Sequence, residues 1–96
     1  MNNKIFYDSN GNVVDNENLA CAYRDNYGFF IKQDSYGRFY NKNDMYSIDL
    51  ERFDKLKGRN FFVFVKVKKE SFESYIKFLK TKNTSYLKIA EREKLS

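Results

Sequence analysis

Histidine is missing from this 96-residue chain, and with it go the commonest general base and the commonest metal ligand. Cysteine occurs once, as Cys21. A lone thiol excludes an internal disulfide, and one cysteine without histidine cannot assemble a structural zinc site. Cys21 stands between Ala20 and Ala22 with no histidine to activate it, so it reads as a buried, inert thiol. The four glycines, Gly11, Gly28, Gly37 and Gly58, are too dispersed to cradle a phosphate group. No Pro-, Gly- or Ser-rich linker divides the chain. No apolar run approaches the roughly 18 residues of a transmembrane helix. The opening Met1-Asn2-Asn3-Lys4 lacks the apolar stretch of a secretory signal. The setting expected from these features is the cytoplasm of a bacterial host, without membrane association.

Carboxylate pairs do acid–base chemistry without histidine in some enzymes. Here Asp25, Asp34, Asp44 and Asp49 all sit where a turn or a helix cap explains them, and Glu91 and Glu93 belong to a charged segment. Neither a catalytic centre nor a bound cofactor or metal is expected.

What is present is a globular composition, 42% hydrophobic and 32% charged, and a length that fits one α+β domain over residues 1–96 with a modest core. Ten Phe and eight Tyr make the chain rich in rings. Phe fills a small core efficiently, whereas Tyr hydroxyls need partners and favour the edge of the core. Phe, Tyr, Met, Ile, Asn and Lys together supply 49 of the 96 residues. These are the amino acids of AT-rich codons, which points to a gene of a low-GC bacterium, its phage or a mobile element.

Three turns share one chemistry: Asp8 to Gly11, Asp25 to Gly28 and Asp34 to Gly37. Asp bonds the backbone ahead of it, and Gly at the fourth position accepts a positive φ. The flanking residues then read as a hairpin, 5–7 with 12–15, and a three-strand meander, 19–24, 29–33 and 38–41. Asn16 or Asn18 capping a short helix is the alternative for 19–24. Asp49 caps a helix with Leu50, Phe53 and Leu56 on one face, closed by Gly58. Residues 61–68 form the clearest strand, starting apolar on both faces and ending with Val65 and Val67 inward and Lys66 and Lys68 outward. Its first half is expected in the middle of the sheet. Ser71 caps a helix whose apolar stripe is Phe72, Tyr75, Ile76 and Leu79, widened by Phe78. Thr84 or Ser85 starts a last helix, and the charged residues from Glu91 to Ser96 are expected to fray. The fold class is α+β, a mostly antiparallel sheet with helices packed on one face.

Charge is unevenly placed. Residues 1–49 carry −2 and residues 50–96 carry +7, an asymmetry suited to an anionic partner. Lys55, Lys57 and Arg59 form one basic group. Lys66, Lys68 and Lys69, followed by Lys77, Lys80 and Lys82, form another that is expected to converge on one rim and to attract phosphate backbones. A second candidate surface comes from the turn tyrosines Tyr27 and Tyr36 with Tyr40, Arg24 and Arg38. Tyr and Arg are the favoured anchors of protein interfaces. Residues 57–64 match the aromatic RNA-binding strand of RRM domains only at Lys57, Gly58, Phe61 and Phe64, and the element order differs, so Phe61 and Phe64 are assigned to the core.

The first function expected is a non-catalytic inhibitor or modulator docking on a host protein or ribonucleoprotein complex, such as a nucleic-acid enzyme or a defence complex of the kind anti-CRISPR proteins block. A direct DNA- or RNA-binding domain is the alternative, and a structural subunit of a virion or assembly is the third. The basic net charge argues against a DNA mimic, which needs an acidic surface.

Overall fold

The computed structural model describes residues 3–34, 37–41 and 63–94. Five strands, β1 (Ile5–Tyr7), β2 (Val13–Val14), β3 (Ala22–Asp25), β4 (Gly28–Gln33) and β5 (Val63–Val67), form one antiparallel sheet in the order β2-β1-β3-β4-β5. Helices α1 (Lys69–Thr81) and α2 (Thr84–Glu93) follow. This is the α+β architecture expected. The helix expected at 49–58, the strand start at Phe61 and Phe62, the basic group Lys55, Lys57 and Arg59, and Tyr36 lie outside the described residues.

Local chemistry sets the turns. Asp8 Oδ1 accepts from the backbone N–H groups of Asn10 at 2.9 Å and Asn12 at 3.0 Å, and the Gly11 N–H donates to the Asp8 carbonyl at 3.0 Å. Asp34 repeats the pattern, accepting from the Arg38 N–H at 3.0 Å and the Gly37 N–H at 3.0 Å. The middle turn is tighter. Asp25 pairs directly with Gly28, which leaves Asn26 and Tyr27 as a two-residue loop.

Gly11 has φ +78°, and a Cβ there would stand 2.6 Å from Lys80 Cγ. Gly11→Ala therefore combines left-handed strain with displacement of the Lys80 stem. The expected loss is about 1–2 kcal/mol, to be read from the denaturant midpoint.

The sheet has two unlike faces because side chains alternate along each strand. The register aligns Tyr7, Ala22, Ile31 and Val65 across β1, β3, β4 and β5, and beside them Arg24, Phe29 and Val67. This is the face that meets the helices. Ala22, Ile31 and Tyr75 are fully buried, and Phe72, Phe78, Leu79, Leu87 and Ala90 join them. The Phe72 ring lies 5.0 Å from Phe29 and 5.7 Å from Tyr7. Each such large side chain contributes roughly 1.5–3 kcal/mol by leaving water.

Five expectations need correction. Residues 17–19 form a 3-10 turn capped by the Asn16 side chain, which accepts from the Asn18 N–H at 2.8 Å, so β3 begins only at Ala22. Residues 38–41 make a single bridge, Phe39 with Gln33, instead of a strand. The Phe39 ring is drawn into the core against Tyr75, at 5.6 Å. β5 is at the edge of the sheet formed by the described residues, with Val63 51% exposed, instead of in its middle. Ser71 does not cap α1, which starts two residues earlier. Its buried hydroxyl donates to the Ala90 carbonyl at 2.6 Å and ties α1 to α2. Finally, Glu91 is not frayed: α2 runs to Glu93, and Glu91 Oε2 accepts from the Phe39 N–H at 3.0 Å.

The break between the helices falls where expected. Lys82 adopts φ 61° and its N–H donates to the Phe78 carbonyl at 2.7 Å. Asn83 then caps α2 by accepting from the Ser85 N–H at 3.0 Å.

Candidate functional site

The β3–β4 hairpin separates the two halves of the expected tyrosine–arginine surface. Tyr27 occupies the hairpin tip, 67% exposed, with Arg24 exposed beside it. Arg38 and Tyr40 lie beyond the other end of β4, six residues or about 20 Å away along the strand. Arg38 is engaged there by Asp34, with Nε and Nη2 at 3.0 and 2.9 Å from Oδ2. Tyr40 is half-buried against the core, its carbonyl accepts from the Tyr75 hydroxyl at 3.0 Å, and Lys32 Nζ stands 5.3 Å from its ring centre. Arg24, Tyr27, Arg38 and Tyr40 therefore do not make one patch.

The lysines also divide. β5 ends at the same end of the sheet as the β3–β4 turn, because Phe29 pairs with Val67. Lys66, Lys68 and Lys69 thus lie near Arg24 and Tyr27. Lys66 is on the far face, where its Cε would be 2.8 Å from a Cβ on Gly28. Only glycine lets the lysine stem lie so close to the strand. Lys77 faces α2, its Nζ 5.7 Å from the Tyr86 ring centre. Lys82 Nζ donates to the Ser9 carbonyl at the β1–β2 turn. The expected single basic rim is therefore narrower than the sequence suggests.

Three of the expected cations do converge. Arg24 from β3, Lys69 from the first turn of α1 and Lys80 from its last turn line one open cleft of about 370 Å3 between sheet and helix. Lys69, Glu73, Ile76 and Lys80 share it because spacings of three and four residues fall on one helix face. Tyr7, Phe29 and Phe72 supply aromatic walls. Arg24 Nε donates to the Tyr7 hydroxyl at 3.1 Å, which orients the guanidinium along the cleft. One carboxylate, Glu73, faces three cations, so the cleft favours an anion. Arg24, Lys69 and Lys80 at the lips of the cleft are the groups that could hold a phosphate there.

In the sequence Arg24 belongs to one expected surface and Lys69 and Lys80 to another, and neither includes the aromatic walls or Glu73. The signal available was the alternation of Tyr7, Arg24 and Phe29 with their neighbours, which requires the strand register to interpret. Phe64 is half-buried on the face turned away from α1 and α2, against Tyr23, and lies outside the core cluster that the described residues form.

Among the described residues no cluster of three or more Cys, Asp or Glu side chains is arranged to hold a metal ion. No helix among them is long and apolar enough to cross a membrane. No protein-family model, curated protein or solved structure matches the chain.

Proposed function

We propose that the protein is a non-catalytic nucleic-acid-binding domain. Phosphates sit on the Arg24–Lys69–Lys80 cleft, and Lys68 extends the cationic track at the same end of the sheet. The observation that supports this reading is the convergence of cations from β3 and from both ends of α1 on one aromatic-walled cleft with a single carboxylate. Binding of this kind is driven by counterion release and reads backbone charge ahead of sequence.

The test is a duplex titration across a salt series, followed by the triple variant Arg24→Glu, Lys69→Glu and Lys80→Glu. The expected result is affinity that falls steeply with salt. The variant should bind far more weakly, with a log–log salt slope flatter by about two to three. These positions are at the surface, so circular dichroism should show an unchanged fold. Absence of binding at low salt, or a variant that binds like the parent, overturns the reading.

A second reading is inhibition of a host nucleic-acid enzyme or defence ribonucleoprotein by surface docking. One observation favours it: the Tyr27 ring projects from a turn tip next to Arg24, and such a pair suits the anchor of a protein interface. A host complex retained after nuclease treatment, and released by Tyr27→Ala, would select this reading over the first.

A further inference from the structure

The sheet face turned away from α1 and α2 is aromatic. One register row crosses all five strands as Val14, Phe6, Tyr23, Phe30 and Lys66. Phe64 stands two residues before Lys66 on β5, on the same face, opposite Lys32. The Tyr23 and Phe30 rings stack at 4.6 Å and 9°, Phe6 flanks Tyr23 at 5.7 Å, and Phe64 meets it edge-on at 5.0 Å. None of the four belongs to the buried core cluster, and all are half-buried.

Among the described residues, the elements that pack on this sheet are α1 and α2, on one side, and an antiparallel sheet so covered ordinarily turns polar residues to the other. Four half-buried rings in contact give that second side an apolar character, and an apolar surface that solvent reaches marks a binding site. Its charge limits what can bind. Lys4 Nζ lies 4.9 Å from the Tyr23 ring centre, and exposed Lys66 closes the row at the opposite side. Two copies of this chain meeting face to face would bring like charges together. The complementary partner is anionic and carries flat apolar groups. Unpaired nucleotides have both, whereas a duplex offers phosphates but keeps its base faces stacked inside.

We infer that this face binds single-stranded nucleic acid, with bases against Phe6, Tyr23, Phe30 and Phe64 and phosphates at Lys4 and Lys66. The site is separate from the Arg24–Lys69–Lys80 cleft, which lies on the other side of the sheet. The two can therefore fail independently.

The experiment compares binding of the full chain to a short oligothymidylate, an oligouridylate and a matched duplex. The parent is set against Phe6→Leu, Tyr23→Leu and Phe64→Leu, which keep apolar bulk but remove the ring. Single strands should lose about tenfold in affinity per ring, and the duplex should be unaffected. Equal losses on all three ligands, or no loss on the single strands, would overturn the inference. A preference between the two oligonucleotides identifies DNA or RNA as the ligand. Hydroxyl-radical footprinting of the unmodified protein is the check that needs no variant. Phe6, Tyr23 and Phe64 should be oxidised in the free protein and protected by the oligonucleotide. Rings that are unreactive in the free protein would show the face to be covered already and end the proposal.

Discussion

Tyr75→Ala is expected to cost about 3–5 kcal/mol and to leave a large unfolded fraction at ordinary temperature. Tyr75 is fully buried, touches the rings of Phe39 at 5.6 Å and Phe78 at 6.0 Å, and its hydroxyl donates to the Tyr40 carbonyl at 3.0 Å. Alanine removes the ring from the centre of a small core, and that carbonyl loses its donor. Tyr75→Phe separates the two contributions. It keeps the ring and loses only the hydrogen bond, so about 1–2 kcal/mol is expected, read from urea midpoints.

The same hydroxyl makes a pH prediction. Burial, with smaller contributions from Cys21, Tyr40 and Glu91, holds the Tyr75 phenol well above its ordinary value of about 10. The unfolded chain therefore releases this proton at a lower pH than the folded chain does. Stability from the neutral buried phenol is complete below the unfolded value and is lost as pH rises through the folded one. Alkaline unfolding should set in above about pH 10, and Tyr75→Phe should flatten that slope.

Phe39→Ala should destabilise by a similar amount, about 3–5 kcal/mol, although Phe39 belongs to no regular strand. Its ring is 1% exposed, and its N–H is held by Glu91. Lys94 Nζ, 4.5 Å from the ring centre, donates to the Gly37 carbonyl. One short segment is thus fixed at once by a buried ring and by two side chains from the end of α2. Glu91→Ala removes one of those ties. Combined with Phe39→Ala it should cost less than the sum of the single changes, because either one already loosens residues 37–41. A double-mutant cycle by chemical denaturation gives the coupling directly. Strict additivity would mean that Glu91 does not hold the segment in place.

The elements legible in the sequence were those set by local chemistry. Asp8, Asp25 and Asp34 announced their turns because a carboxylate bonds the backbone only a few residues ahead. The stripe of Phe72, Tyr75, Ile76 and Leu79 announced α1. The elements that were misread depend on distant partners. Phe39 leaves the meander because Tyr75 and Glu91, far along the chain, receive it. Ser71 resembles a cap until Ala90 is beside it. The sheet faces were hidden for a different reason. Phe29, Phe30 and Ile31 are apolar in succession, so a two-residue period cannot say which ring meets the helices. The basic cleft suffered likewise: Arg24 and Lys69 become neighbours only through the pairing of Phe29 with Val67.

The placement of α1 and α2 after every strand of the sheet also matters during synthesis. Tyr7, Ala22, Phe29 and Ile31 leave the ribosome well before the helices that cover them. Through that interval the sheet has an apolar side with nothing from α1 or α2 to pack against, and Phe39 lacks both Tyr75 and Glu91. The nascent strands are thus committed to waiting, and closure of the core is a late event coupled to the arrival of residues 69–93.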